Sequence, residues 1–96
     1  MTKFKSLLQT ERKCYICGTT KDLQLHHCIY GTANRRLSDE DGLVIWLCYK
    51  HHLGNDGVHN NITLDNEIKA EAEEIYLETY NKTIEDFIKR YGKNYL

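Results

Sequence analysis

The chain has 96 residues, a net charge of −1, four cysteines, five histidines and no proline. That length bounds a single domain whose hydrophobic core alone gives limited stability, and a structural metal is a common remedy at this size. The near-neutral charge excludes a strongly basic chain; it neither argues for a nucleic-acid partner nor forbids one.

The average hides an asymmetry. Residues 1–64 carry eight Lys/Arg against six Asp/Glu, whereas residues 65–96 carry five against eight, so the histidine-rich part is the less acidic one. Met1 to Leu8 lacks a continuous apolar segment of secretory length, and no run is long enough to span a membrane. A cytosolic chain without a membrane partner is therefore expected, and in that compartment paired cysteines favour metal over disulfide.

In chain order, Phe4, Leu7 and Leu8 have helical spacing and predict a helical segment within residues 1–13. Cys14 to Gly18 reads as a knuckle, its glycine letting backbone amides face the sulfurs. Leu23-Gln24-Leu25-His26-His27 begins in alternation and predicts a strand. Tyr30 to Asp41 is polar and reads as a loop. Leu43 to Leu47 is a continuous apolar run suited to a buried strand. His51-His52-Leu53 predicts a short helix that Gly54, or the stretch to Gly57, cuts off. The last third is helical: Asp65 is a candidate N-cap, Ile68, Ala72, Ile75 and Thr79 follow the helical period, and Thr83 begins a capping arrangement for a final helix ending at Gly92.

Cys14-x-x-Cys17 and Cys48-x-x-His51 are two turns of equal spacing. Each supplies two ligand atoms about one tetrahedral edge apart, and together they make the four-ligand sulfur and nitrogen set that zinc prefers. A structural zinc site at Cys14, Cys17, Cys48 and His51 is expected. Cys28 is the odd thiol, read as a small core residue rather than an alternative ligand.

Cys14-x-x-Cys17, Leu-Gln-Leu-His26-His27, Leu47-Cys48-x-x-His51-His52 and the later His59 resemble the HNH (ββα-metal) endonucleases, in particular small HNH-type proteins of bacterial phages and prophages. The resemblance spans roughly residues 14–60. It implies an α+β fold in which two strands and a helix hold one divalent ion, braced by a zinc knuckle, with residues 14–62 forming that core and residues 63–96 a helical tail. It further implies metal-dependent hydrolysis of DNA in the cytoplasm of a bacterial host. His27 would be the general base. His26, His52 and His59 would ligate a catalytic Mg, Mn, Ni or Zn ion. Arg35 and Arg36, in the stretch between the strands, read equally as phosphate contacts and as a solvated loop pair.

Three positions depart from the family pattern. His51 stands where a cysteine is usual. Asp41-Gly42 stands where a central asparagine is expected, with Asn34 as a candidate substitute. His52 and His59 are seven residues apart instead of four, with Asn55, Asp56, Asn60 and Asn61 as candidate additional ligands. The competing expectation is a non-catalytic zinc-binding adaptor that binds DNA or a replication or recombination protein. The acidic tail, with Ile68, Ile75, Phe87 and Ile88, reads as a lid on the core and alternatively as a partner face. A transcription-factor-like zinc finger is disfavoured, because no basic recognition helix follows the ligands.

Overall fold

The computed structural model describes residues 6–31, 33–55 and 57–96. Among these residues the fold is mixed, with a two-stranded antiparallel sheet and four helices. The order is β1 (Leu23–His27), α1 (Asn34–Asp41), β2 (Val44–Cys48), α2 (Tyr49–His52), α3 (Ile62–Tyr80) and α4 (Ile84–Tyr91). The strands pair with Leu23 opposite Cys48 and His27 opposite Val44. Four of the five β2 residues are buried, so the continuous apolar run is that of a strand covered on both faces. β1 buries only His26 fully and so keeps its alternating character.

One hydrophobic cluster runs from Cys14 and Cys48 in the knuckle through Ile45 and Leu47 to Ile68, Ala72, Phe87 and Tyr91 in the last two helices. Ile68 and Phe87 are buried as the lid reading requires, whereas Ile88 is exposed. Cys28 is wholly buried, and burial pushes its thiol far above the usual range. All four cysteines are free thiols. Among the described residues no helix is long and apolar enough to cross a membrane.

Three expectations are corrected. Residues 6–13 form no helix; Phe4 lies outside the described residues. Leu7 N donates to Gly42 O at 2.8 Å, and the Ser6 hydroxyl donates to Val44 O while accepting from Leu8 N and Gln9 N. These cross-chain bonds outweigh the local helical spacing. Residues 34–41, read as loop, form α1. It closes at Gly42 in the left-handed region (φ 76°), whose amide donates to Ser38 O, and a side chain there would crowd Leu7. Finally, α3 starts four residues earlier than expected. Asn61 is its N-cap, accepting from Leu64 N at 3.2 Å, and Asp65 lies buried within the helix. Thr83 and Asp86 form the capping box expected for α4, which ends at Gly92.

Candidate metal centres

The ligand atoms of Cys14, Cys17, Cys48 and His51 all lie within 4.8 Å of one another and could hold a metal ion such as zinc. The Cys17 and Cys48 sulfurs are 3.8 Å apart, and His51 Nδ1 lies 3.2 Å from Cys48 Sγ and 3.7 Å from Cys14 Sγ. Sulfurs about 2.3 Å from a tetrahedral zinc stand about 3.8 Å apart, so the cluster has the size of that coordination sphere.

The first edge comes from the tight turn in which Gly18 N donates to Cys14 O and Cys14 N to Thr19 O, both at 2.8 Å. Gly18 takes φ 80°, which an L side chain resists. The second edge comes from the end of β2 and the single turn of α2. Burial tends to raise the Cys14 thiol, but backbone amides of Cys17, Cys48 and Ile16 outweigh it and bring it down to about 6. A thiolate is the metal-binding form, so this turn is prepared for a cation. The Cys48 thiol is pushed up by burial and by the neighbouring sulfurs of Cys14 and Cys17.

A second group, His26, His52 and His59, also brings one nitrogen each within 4.8 Å of the others. Their ring centroids are 5.3 Å (His26–His52), 5.2 Å (His26–His59) and 4.7 Å (His52–His59) apart. Gln24 Oε1 lies 2.6 Å from His52 Nδ1. An amide oxygen only accepts, so His52 carries its proton on Nδ1 and turns the lone pair of Nε2 toward His59 Nε2, 3.1 Å away. His26 Nε2 is buried with no hydrogen-bond partner. Burial, then the neighbouring rings of His52 and His59, hold the His26 imidazole down at about 3; burial and His59 lower His52 too. Neutral imidazoles with convergent nitrogens are the form that binds a metal.

The seven-residue gap to His59 has a backbone explanation. Val58 N donates to His51 O at 2.9 Å and His59 N to His52 O at 3.3 Å. In an uninterrupted helix those carbonyls would accept from residues 55 and 56. The chain therefore makes a three-residue excursion and returns in register, giving His52 and His59 the relation of residues four apart. Gly54 and Gly57 make it sterically feasible: a Cβ would lie 2.7 Å from Lys50 O at Gly54 and 2.6 Å from His52 O at Gly57. The Asn60 amide donates to Leu53 O and Gly54 O and braces the excursion.

The candidate asparagines Asn34, Asn60 and Asn61 have other contacts. Asn60 and Asn61 are occupied as brace and cap. Asn34 donates to Tyr91 O at 3.1 Å, toward the C-terminal helix. Asn55 is an exposed turn residue, and Asp56 lies outside the described residues. Asp41 is bound by Arg90 and Tyr91.

His27 does not join the three convergent histidines. Strand alternation turns it from His26, and its Nε2 meets Asp39 Oδ1 at 2.8 Å. It nevertheless lines, with His26, His52, His59, Tyr30 and Arg35, one open cleft of about 260 Å³. Arg36 instead pairs with Glu40 at 2.7 Å on the same helix, so of the two arginines only Arg35 reaches the cleft.

Sequence reasoning missed Gln24, Tyr30 and Asp39. Gln24 was accessible in principle, since it precedes His26 by the two-residue strand period. Tyr30 packs against His26 and His59, with ring centroids 5.9 and 5.5 Å away, and donates to Asp65 at 2.8 Å. Lys69 pairs with the same carboxylate at 2.9 Å and stands 4.4 Å from the Tyr30 ring centroid, so α3 supports one wall of the cleft.

No family model, curated protein or solved structure matches the chain.

Proposed function

We propose that the chain is a metal-dependent DNA endonuclease with an HNH-like ββα-metal core, in which Cys14, Cys17, Cys48 and His51 hold a structural zinc ion. The observation that carries the reading is the convergence of His26, His52 and His59 at an open cleft that His27 and Arg35 also line. The pairing of β1 with β2, joined through α1 and followed directly by α2, supports it, as do a Cys/His cluster bracing the ends and a restored four-residue relation between His52 and His59.

His26, His52 and His59 would hold a divalent ion, which would supply Lewis acidity toward the scissile phosphate. His27 accepts a proton from the attacking water as the new P–O bond forms and the P–O3′ bond breaks. Arg35 binds a neighbouring non-bridging oxygen and sets the scissile phosphate against the cleft. Arg36, tied to Glu40, contributes little to this contact.

One observation favours the rival, a zinc-binding adaptor without catalysis that engages DNA or a replication or recombination protein. The place of the family's central asparagine is taken by Asp41, which is committed to Arg90 and Tyr91. Nicking of supercoiled plasmid by protein freed of contaminating nuclease separates the two. Cleavage with Mg, Mn, Ni or Zn, lost in His27→Ala with the fold retained, is the expected outcome. No cleavage by wild type with any of these ions leaves the adaptor.

A further inference from the structure

We propose that Asp39 is a positioning residue, whose carboxylate holds His27 as its Nε2–H tautomer with the ring fixed at the cleft rim, leaving Nδ1 as the proton-accepting atom. Its catalytic consequence rests on the nuclease reading; the ring geometry does not. A carboxylate accepts, so the proton in the 2.8 Å contact belongs to His27 Nε2. Fixing one nitrogen of an imidazole this way decides which other nitrogen can act.

As a stability device the pair would count for little, because the Asp39 side chain is 58% exposed. Its backbone setting points to another use. Asp39, Glu40 and Asp41 are consecutive carboxylates at the end of α1, and they have different partners. Asp41 takes two Arg90 contacts, at 2.6 and 3.0 Å, and the Tyr91 hydroxyl at 2.6 Å. Glu40 meets Arg36 at 2.7 Å and Arg90 at 3.3 Å. Asp39 is the one turned to the histidine.

The helix that carries it is pinned on both sides. The buried Ser38 hydroxyl donates to Ile29 O at 2.6 Å, two residues beyond His27, and Tyr80 donates to Asp41 O at 2.9 Å. His27 itself is only 13% exposed at its side chain, which restricts how far the ring can swing. A charge held by the fold against a half-buried imidazole is how a base is oriented without itself reacting.

The experiment uses the zinc-replete full chain with 15N-labelled histidine, observing long-range proton–nitrogen ring correlations and exchange of the His27 ring proton. Wild type should show His27 protonated at Nε2, and Asp39→Ala should speed exchange of that proton and disperse the ring signal. Plasmid-nicking kcat should fall about tenfold in Asp39→Ala, a part of the 10²–10⁴ that a general base supplies, while KM and metal affinity stay unchanged. Asp39→Glu should recover part of the loss, and Asp39→Ala should add no further loss on a His27→Ala background. A ring pattern identical with and without Asp39, a His27 protonated at Nδ1, or a full additive loss in the double variant overturns the proposal. If the ring pattern depends on Asp39 while wild type fails to nick, positioning stands and the nuclease reading falls.

Discussion

The backbone N–H of His59 meets the carbonyl of His52 at 3.3 Å, so two residues seven apart in sequence are held as neighbours across one helical turn. The same geometry leaves their Nε2 atoms 3.1 Å apart, close to the edge of a metal coordination sphere. A backbone splice thus sets a side-chain spacing.

Gly57→Ala should damage this splice selectively, because the new Cβ would lie 2.6 Å from His52 O. We expect affinity for a divalent ion at the histidine centre to fall about tenfold or more, the range seen when groups that orient ligands are disturbed. Cobalt substitution reads both centres in one sample. The thiolate charge-transfer band of the knuckle should persist while the weaker site saturates later. Identical titration curves for variant and wild type would remove the splice from the argument.

Cys17→Ser, or chelation of the knuckle metal, should affect both centres. α2 is a single turn whose adjacent residues His51 and His52 serve different clusters, and a four-residue helix has little stability of its own. Loss of the knuckle ion should lower the melting temperature, since structural metal binding is folding free energy. It should also weaken cobalt binding at the histidines, none of which was altered. Undiminished binding there would show that α2 is held without the knuckle.

Glu73 gives a pH prediction. The residue is wholly buried; Oε1 accepts from Tyr95 N at 2.7 Å and Oε2 has no partner. Burial raises its carboxyl above the ordinary value, with the Tyr95 amide opposing. A folded-state pKa above the unfolded one means that the native chain binds this proton more tightly. The cost of the charged form is therefore full above the raised pKa and fades as pH falls through it. Thermal melts of wild type and Glu73→Gln should show the wild type gaining relative to the variant as pH is lowered from 8 to about 5. A constant difference would mean that Glu73 binds its proton equally well in the folded and unfolded chain, as it would at a wet site.

How much of this was legible in the sequence depends on how local each cause is. The two Cys/His turns were readable because ligand spacing within a turn is fixed by the turn itself, and β2 because a strand covered on both faces is apolar throughout. α1 was not readable. It has no apolar stripe, and its charges are satisfied by Arg90, 49 residues beyond Asp41. The segment after residue 5 misled for the opposite reason: helical spacing at Leu7 and Leu8 was overridden by a bond from Leu7 to Gly42. His26 and His27 were recognised as a pair, yet alternation sends them to different partners, and only the position of α1 shows that Asp39 is one of them.

The clasp of Arg90 on Glu40 and Asp41 also has a consequence in time. During synthesis the knuckle, both strands and all the histidines emerge first, and they can begin to assemble from contacts close in sequence. α1, lacking an apolar face of its own, starts with only near-sequence holds such as Ser38 on Ile29 O and gains its second hold when α3 and α4 fold back over it. A growing chain would therefore collect its ligands early, but the wall beside His27 would be set last. The cleft would come into working order from its ligands outward, its rim completed only once α4 has folded back.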